Sequence, residues 1–398
     1  MTQRPTRVLH VIQNLNYGGM ERVLSDIVLR CDRSRFESHV LCLQYLGRFA
    51  SGLEAASTLH VAEGVQPFSM LWPGRLAKQI GTIGPHVVHS HSGVWYKAAY
   101  AARLAGVKRV VHTEHGRGRP DPLVNRLVDH IGARLTDVVV AVSEPLAALL
   151  ESSLGVAARK LSIVPNGVDT EAYSPRPDTG HLRLELGIDP ATPIIGSIGR
   201  LEPIKGYDVM IDAFAALRRS GRDLGSVLVI AGEGTQRPML ERRVREYGLD
   251  GAVFMPGWRD DVLDMHSAFA MFTMSSRSEG TSISLLEAMS GGLAPVVTDV
   301  GGNADVLGDA LKESLVPSEE PEALAAAWAM LLAQPATRAR QGALARHRVI
   351  DAFGLDAMVH AYERIYMEDT GGETRSALRS AASANTRNSS RAAETRPT

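Results

Sequence analysis

Residues 275–289 read SSRSEGTSISLLEAM. The apolar run before them, Phe269–Met274, is typical of a buried strand. Good helix formers follow from Leu285 until the helix-breaking pair Gly291-Gly292. The stretch therefore predicts a strand, a polar turn and a helix. Backbone N–H groups at such a helix start, together with the hydroxyl groups of residues 281–284, suit the binding of a phosphate.

Two carboxylates flank this turn, because Glu279 precedes it and Glu287 lies inside the predicted helix. An ionised glutamate only accepts hydrogen bonds, so it can receive the hydroxyl groups of a sugar. The alternative interpretation is an ordinary helix cap followed by a solvated glutamate. Motifs elsewhere in the chain are needed to distinguish the sugar-binding interpretation from the helix-cap interpretation.

The composition predicts a soluble globular protein, since 44% of the 398 residues are hydrophobic and 22% are charged. This length favours two domains. Cys31 and Cys42 provide neither a disulfide framework nor metal-ligand spacing, which favours a reducing cytoplasm. We expect no signal peptide and no membrane span, because no apolar run approaches the required ~18 residues.

The net charge of −1 conceals an asymmetry, with basic residues in excess up to residue 180 and acidic residues in excess over 181–370. A group of six basic residues predicts weak contact with an anionic membrane surface, at the inner face of the plasma membrane. They are Arg103, Lys108, Arg109, Arg117, Arg119 and Arg126. The alternative is a scatter of solvated arginines. No nucleic-acid partner is expected.

Short apolar runs alternate with helical patterns along both halves of the chain, which predicts α/β architecture with doubly wound parallel sheets. The predicted strands are Arg7–Gln13, His39–Leu43, His86–His89, Arg109–Thr113, Val138–Val142, Ile194–Ile198, Val227–Ala231, Val253–Met255 and Pro295–Thr298. The first strand leads into a Gly18-Gly19 turn that does not fit the dinucleotide fingerprint, so a dinucleotide is not indicated.

Changes in composition predict the domain boundaries. An N-terminal domain over residues 1–172 precedes a proline-rich, charged linker over 173–189 and a second domain over 190–350. Residues 351–369 are predicted to form a helix that returns to the N-terminal domain. The tail, residues 370–398, has almost no large apolar side chains and is predicted to be disordered.

Two further groups of residues carry chemistry. Arg200 and Lys205 lie in a glycine-flanked loop after a predicted strand, and fixed positive charge beside backbone donors suits a diphosphate. Four histidines lie where two of the other predicted strands end: His89, His91, His112 and His115. They come without a matching carboxylate or a helical i, i+4 pair, so we expect hydrogen bonding to a polar ligand and no metal site.

Five motifs in this order resemble those of the family 4 glycosyltransferases, which are retaining enzymes of the GT-B fold. They are Gly18-Gly19, Thr113-Glu114-His115-Gly116, Asn166-Gly167-Val168-Asp169, Gly199-Arg200 to Lys205-Gly206, and Glu279-Gly280 to Leu286-Glu287-Ala288-Met289. The resemblance extends from about residue 7 to residue 367. It implies two Rossmann-like domains that face each other across a cleft.

The resemblance also implies a role for each residue. Arg200 and Lys205 would hold the donor diphosphate, Glu287 the ribose, and Glu279 the transferred sugar, while His115 would lie at the reacting face of that sugar. The implied donor-binding set is Gly18, Gly19, Arg200, Lys205, Gly280, Thr281, Ser282, Ile283, Ser284 and Glu287. The implied catalytic set is His115, Glu279, Arg200 and Lys205. His112 resembles nothing catalytic.

The implied activity is the transfer of a sugar from a nucleotide-diphosphate donor to a glycan, lipid-linked or small-molecule acceptor, without metal or cofactor. Many relatives carry Phe-Gly where this chain has Thr281-Ser282, a variant common among enzymes that build extracellular polysaccharides. The donor sugar stays open. Two alternatives are a non-hydrolysing nucleotide-sugar epimerase and a sugar-nucleotide-binding module without turnover.

Overall fold

The structure is a computed structural model that describes residues 4–16, 18–63, 73–116 and 123–367. The predicted C-terminal tail lies outside these residues. The chain divides into two compact units: the first is formed by described residues of Met1–Pro165 and Asp356–Thr398, and the second by Asn166–Leu355. None of the described helices is both long enough and apolar enough to cross a bilayer.

In the described part of the first unit, seven parallel strands form one sheet in the order β3-β2-β1-β4-β5-β6-β7. The strands are β1 Thr6–Asn14, β2 Phe36–Tyr45, β3 Ser57–Val61, β4 Val87–His91, β5 Arg109–Glu114, β6 Val138–Ala141 and β7 Leu161–Ile163. The helices associated with this unit are α1 Gly19–Arg30, α2 Ala50–Leu53, α3 Gly74–Ile83, α4 Trp95–Leu104, α5 Leu123–Leu135, α6 Glu144–Leu154 and the last helix, α15 Leu355–Met367.

The second unit repeats this architecture, with six parallel strands in the order β10-β9-β8-β11-β12-β13 among its described residues. The strands are β8 Ile194–Ile198, β9 Val227–Ala231, β10 Val253–Gly257, β11 Met271–Met274, β12 Pro295–Thr298 and β13 Leu315–Val316. The helices are α7 His181–Leu186, α8 Tyr207–Arg219, α9 Arg237–Glu246, α10 Val262–Ala268, α11 Ile283–Ser290, α12 Asn303–Leu307, α13 Pro321–Ala333 and α14 Pro335–Ala352.

Both faces of the second sheet are buried, which explains why its strands are continuously apolar. Ile195 packs into a cluster with Phe214 and Trp328 on one face. The preceding residue, Ile194, packs with Phe272 into a separate cluster on the other face. This alternation follows from the two-residue period of a strand. The sheet therefore has helices on both sides, as the sequence predicts.

Because all strands in each sheet are parallel, their carboxyl ends share one edge. In the first unit, the loops after β1, β4 and β5 begin at that edge. In the second unit, the loops after β8 and β11 do so, and these carry Arg200, Lys205 and Glu279. The topology thus collects the polar motifs of each half on one side of its sheet.

The unit boundaries differ from the predicted domains. The predicted linker, residues 173–189, lies within the second unit and contains α7. The second unit already begins at Asn166, and Val168 pairs with the end of α14 through the Val168 N–H to Phe353 O bond of 2.9 Å. Proline and charge therefore mark an ordered surface segment here, not a connection between domains.

The basic group of the first unit is only partly available at the surface. Arg109 is buried, and its Nη2 donates to Ile365 O at 2.6 Å. Arg103 pairs with Asp137 at 2.8 Å and also donates to backbone carbonyls. These two arginines are structural, which corrects the prediction for them. Of the other four, Lys108 and Arg126 are exposed, and Arg117 and Arg119 lie outside the described residues.

Helix α15 contributes two buried tyrosines to the first unit. Tyr366 Oη lies 2.7 Å from Nδ1 of His89, and Tyr362 Oη lies 3.2 Å from Oγ1 of Thr113. Glu363 accepts the backbone N–H of Asp32 at 2.8 Å. Helix α15, which follows the second unit in sequence, therefore supplies polar side chains to the core of the first unit.

We expect Tyr366→Phe to lower the free energy of unfolding by about 1–3 kcal/mol, because a buried ring nitrogen of His89 loses its partner. Urea unfolding of the purified chain measures this. Tyr45→Phe is the matched control, since Tyr45 is 49% exposed. Equal unfolding midpoints for both variants would contradict the anchoring role of Tyr366.

Candidate active site

Glycines let the loops of the second unit approach one another closely. A Cβ at Gly301 would lie 1.8 Å from the carbonyl oxygen of Glu279, and one at Gly206 would lie 2.1 Å from that of Ser275. Both glycines also have positive φ angles, 56° and 63°. Any side chain at these positions would displace the loop that carries Glu279.

Lys205 and Glu279 form an ion pair at this edge. Lys205 Nζ donates to Oε1 of Glu279 at 2.6 Å, and the same oxygen accepts from the hydroxyl group of Ser276 at 2.5 Å. The side chain of Glu279 is 8% exposed and that of Lys205 is 21% exposed. The structure thus joins two residues that the sequence analysis assigned to different parts of the donor. A ligand that engages Lys205 must share it with Glu279.

Arg200 leaves β8 on the same loop and is exposed. Among the described residues, its guanidinium group has no ion-pair partner. The planar guanidinium can donate two parallel hydrogen bonds to an anionic oxygen pair. Arg200 is therefore the cation of this loop that a ligand can engage without breaking an existing contact.

Helix α11 begins at the same edge of the second sheet, after β11. Ser282 caps the helix, because its hydroxyl oxygen accepts the N–H of Leu285 at 3.4 Å. Thr281 and Ser282 are buried, whereas Ile283 and Ser284 are partly exposed. The helix itself provides no acceptor for the N–H groups of Ile283 and Ser284. The hydroxyl group of Ser282 therefore serves the helix cap, and these two backbone groups are better placed for an anion.

Glu287 lies one turn into α11 and is 8% exposed. A solvated surface glutamate would be far more exposed, so that alternative is wrong for this residue. Burying a carboxylate is costly unless hydrogen-bond donors surround it. The burial therefore favours a specific binding or structural role for Glu287.

In the first unit, Gly18 and Gly19 open α1 at the end of β1. The sequence analysis did not single out Glu21, which is 9% exposed in the first turn of this helix. Its Oε2 lies 2.4 Å from the position that a Cβ at Gly18 would take. A carboxylate there already occupies a helix end that favours negative charge. The backbone of Gly18 therefore lies against the carboxylate of Glu21.

His115 follows β5 in a loop held by backbone contacts. Its N–H donates to the hydroxyl oxygen of Ser92 at 2.8 Å, and the Ser92 hydroxyl donates to Oε1 of Glu114 at 2.5 Å. On the side-chain side, His115 Nε2 lies 3.0 Å from Nδ1 of His91. His91 in turn lies 3.4 Å from His10 through Nε2 and Nδ1. The buried rings of His91 and His10 therefore form a row that begins at His115, the predicted catalytic histidine.

Burial keeps these rings uncharged. It lowers the pKa of His10 to about 3, and that of His91 lies well below its ordinary value of 6.5. For His115, burial also dominates and lowers the pKa to about 4, with Glu114 opposing and His112 assisting the shift. At neutral pH, His115 is therefore a neutral hydrogen-bonding group and not a cation.

Three of the buried histidines have ring nitrogens within 4.8 Å of one another: His10, His89 and His91. Neutral imidazoles can ligate a metal. However, both nitrogens of His89 already have partners, Tyr366 Oη at 2.7 Å and Thr113 Oγ1 at 2.8 Å. Both ring nitrogens of His89 are therefore engaged in hydrogen bonds within the first unit. Sequence reasoning overlooked His10, because it lies in the middle of an apolar strand.

His112 is fully buried, and its ring stacks on Trp95 with centroids 4.0 Å apart. Its Nδ1 lies 3.0 Å from the hydroxyl group of Ser90. These contacts are those of a buried packing residue.

Comparison with known proteins identifies the class. Residues 17–172 match the family model described as Glycosyltransferase Family 4, and residues 179–348 match the model described as Glycosyl transferases group 1. The structure of Anabaena HepE in complex with UDP and glucose superposes with a TM-score of 0.79, covering 90% of this chain and 98% of that one at 21% identity. The fold is GT-B.

Among curated relatives, the UDP-Gal:alpha-D-GlcNAc-diphosphoundecaprenol alpha-1,3-galactosyltransferase of Escherichia coli is 30% identical over 54% of this chain and 58% of that protein. The GDP-mannose-dependent alpha-(1-6)-phosphatidylinositol monomannoside mannosyltransferase of Mycolicibacterium smegmatis is 31% identical over 68% of this chain and 74% of that protein. The chain belongs to the family 4 glycosyltransferases and is a glycosyltransferase.

Two fully enclosed histidines predict how stability depends on pH. Burial lowers the pKa of both His10 and His266 to about 3 from the ordinary 6.5. As the pH falls below 6.5, the unfolded chain binds protons that the folded chain does not accept until about pH 3, so folding weakens in this window. Between pH 7.5 and 5.5 we expect each histidine to contribute roughly 1 kcal/mol to this loss. Urea unfolding at several pH values measures it.

The control for this prediction is His266→Leu, which removes one of the two groups. Its free energy of unfolding should depend less steeply on pH than that of the wild type over the same window. Identical slopes would show that His266 does not remain neutral in the folded protein.

Proposed function

We propose that this glycosyltransferase takes a nucleotide-diphosphate sugar and transfers the sugar, with retention of anomeric configuration, to a lipid-linked or glycan acceptor. The observation that carries the donor assignment is the edge of the second sheet. There, Arg200 is exposed and Lys205 is paired with Glu279. Helix α11 begins at the same edge, and Glu287, one turn into this helix, is buried. Cations and a helix N-terminus suit a diphosphate, and a carboxylate suits the hydroxyl groups of a ribose.

The comparisons support a nucleotide donor without selecting the base. The names of the two curated relatives include UDP-Gal and GDP-mannose. HepE, at 21% identity, is a complex with UDP. We therefore propose UDP or GDP as the leaving nucleotide, and we leave the transferred sugar open.

In the proposed reaction, the bond between the anomeric carbon and the diphosphate oxygen breaks, and the acceptor oxygen bonds to that carbon from the same face. The acceptor proton passes to the departing phosphate. Negative charge grows on the diphosphate, where Arg200, Lys205 and the first N–H groups of α11 stabilise it without rearrangement. Neither Glu279 nor Glu287 acts as a nucleophile. A glycosidase-like pair of carboxylates is the alternative.

In this proposal, Glu279 also positions Lys205. Its carboxylate holds Lys205 in place before the donor arrives, since the two atoms lie 2.6 Å apart. Fixed charges of this kind supply stabilisation without a bound metal, and we propose that the reaction is metal-independent. His115 is proposed to contact the transferred sugar as a neutral group.

The acceptor side of the proposal rests on α5 of the first unit. Four apolar side chains of this helix are exposed: Leu123 76%, Val124 68%, Leu127 65% and Ile131 41%. Positions i, i+4 and i+8 of a helix lie on one face, so Leu123, Leu127 and Ile131 form a stripe. Arg126 and Arg134 of the same helix are exposed too. We propose that this stripe docks on an anionic bilayer surface, at the inner face of the plasma membrane, where lipid-linked acceptors reside.

The overall function is tested by incubating the protein with UDP- and GDP-sugars and a bacterial lipid extract, with nucleotide release followed over time. A transferase releases nucleotide only when acceptor is present, and we expect EDTA to leave the rate unchanged. Conversion of the donor sugar without any acceptor would support an epimerase instead. Binding without release would support a module without turnover.

The loop cations are tested first by the affinity for UDP or GDP, whichever binds the wild type. We expect Arg200→Ala to weaken binding by about 1.5–3 kcal/mol, the range of a charge-assisted hydrogen bond. Glu279→Gln should not weaken it, because the substitution removes a negative charge that competes for Lys205, yet turnover should fall. Isothermal titration calorimetry and initial rates provide the two readouts.

Arg222→Ala is the matched control, since Arg222 is an exposed arginine of the same unit in the loop between α8 and β9. It should bind the nucleotide as the wild type does. Unchanged affinity of Arg200→Ala would remove the diphosphate assignment, and weaker binding by Glu279→Gln would show that Glu279 contacts the nucleotide itself.

The membrane assignment is tested by sedimentation with vesicles of phosphatidylglycerol and phosphatidylcholine. Replacing both Leu123 and Leu127 by glutamate should reduce binding to anionic vesicles at least tenfold, because it places two negative charges on the docking face. High salt should reduce binding by the wild type as well.

Leu184→Glu serves as the control, since Leu184 is 84% exposed on α7 of the second unit. It should bind vesicles as the wild type does. Wild-type protein that fails to sediment with either kind of vesicle would favour a soluble acceptor.

A further inference from the structure

Three histidines of the first unit form one hydrogen-bonded chain. His10 lies in β1, His91 ends β4 and His115 follows β5, and these strands are neighbours in the sheet. Nδ1 of His10 lies 3.4 Å from Nε2 of His91, and Nδ1 of His91 lies 3.0 Å from Nε2 of His115. The rings are close to parallel, with interplanar angles of 24° and 19°.

A chain of neutral imidazoles has only two internally consistent proton arrangements, because each neutral ring carries one N–H and one acceptor nitrogen. Either every proton points from His115 towards His10, or every proton points from His10 towards His115. The first arrangement gives His115 a proton on Nε2 and leaves Nδ1 as an acceptor. The second gives His115 a proton on Nδ1. The tautomer of His115 is therefore tied to that of His91 and His10.

The outer end of the chain distinguishes these two arrangements. Nδ1 of His115 is buried and has no hydrogen-bond partner among the described residues. A buried N–H group without an acceptor is rarer in folded proteins than an acceptor without a donor. The arrangement with Nε2–H on His115 avoids an orphaned donor at this end. It places the other terminal proton on Nε2 of His10, which is not among the described buried side-chain atoms that lack a partner, so it is the favoured arrangement.

We propose that His91 and His10 are positioning residues for the transfer reaction: they hold His115 as its Nε2–H tautomer with the ring fixed in one orientation. The Nε2–H of His115 donates to Nδ1 of His91, whose Nε2–H donates to Nδ1 of His10. This tautomer leaves Nδ1 of His115 as an acceptor that no described residue engages. This inference rests on the proposed role of His115 at the transferred sugar.

The surroundings keep the chain neutral, which its hydrogen bonds require. Burial lowers the pKa of all three rings, and the charged or titratable groups facing His115 are Glu114, which raises its pKa, and His112, which lowers it. A protonated His91 would donate from both nitrogens, so its Nδ1–H would face the Nε2–H of His115 unless His115 moved its own proton to Nδ1. Neutrality and a single proton direction are thus coupled.

The direct test uses two-bond ¹H–¹⁵N correlation spectra of protein labelled with ¹⁵N-histidine, which distinguish a protonated from an unprotonated ring nitrogen. The wild type should show His115 protonated at Nε2, and His115→Ala identifies its signals. A spectrum with His115 protonated at Nδ1, or with both tautomers in exchange, would overturn the proposal. This outcome can be read even if other variants fail to fold.

Variants at His91 test the effect on turnover. His91→Leu removes the acceptor, so His115 should populate both tautomers, and kcat should fall roughly 10- to 100-fold, the cost of misplacing a reacting group. The Kd of the nucleotide should change less than twofold, because Arg200, Lys205 and Glu287, the side chains proposed to bind the diphosphate and ribose, lie in the second unit. His91→Asn keeps an amide oxygen near the Nδ1 position and should restore most of the lost kcat.

His266→Leu controls for the loss of any buried histidine, since His266 lies in α10 of the second unit. It should leave kcat and the spectrum of His115 unchanged. Wild-type kcat in His91→Leu would overturn the positioning role. His115→Ala then separates the two ideas: normal kcat in that variant too would remove the proposed function of His115, whereas reduced kcat there would reject the positioning chain alone.

Discussion

Parallel strand pairing is the constraint on which the site depends. Each unit contains a sheet whose described strands all run the same way, so each connection must return across a face of the sheet. Every strand therefore ends at the same edge, and the residue after the strand is the first that can leave the core. Lys205 and Glu279, 74 positions apart in sequence, meet at 2.6 Å for this reason. The glycines at 206 and 301 then allow these loops to pack against each other.

Much of the fold could be predicted from the sequence, because buried strands such as Val227–Ala231 and Ile194–Ile198 are apolar throughout and bounded by turn residues. Strands without that signal were missed. Strand β3, Ser57–Val61, is a partly exposed edge strand, and β13 has two residues, too few for any period to appear. The linker was misplaced because proline and charge also occur in ordered surface segments such as the one containing α7.

The candidate site was predictable residue by residue but not in its contacts. The resemblance to a known family, and not spacing alone, draws attention to the motifs that contain Arg200, Lys205, Glu279 and Glu287. That Lys205 and Glu279 form a pair depends on side-chain directions that no local pattern encodes. Glu21 and His10 were overlooked for the same reason. A lone polar residue in an apolar strand acquires meaning only when the neighbouring strand supplies its partner.

The two units present different kinds of polar group at the proposed site, charged in the second and neutral in the first. Each kind is suited to a different part of a ligand. In the second unit, charges face the site: Arg200 is exposed, and Lys205 is paired with a carboxylate that is 8% exposed. In the first unit, the corresponding edge holds neutral imidazoles whose pKa values are lowered by burial. Charged donors are suited to a diphosphate, whose negative charge repays their desolvation. A neutral ring that keeps one acceptor nitrogen is suited to a sugar hydroxyl, which can donate a hydrogen bond and carries no charge. The neutral state of His115 therefore suits the contact with a sugar hydroxyl that we propose for the first unit, as the exposed and paired cations suit the diphosphate that we propose for the second.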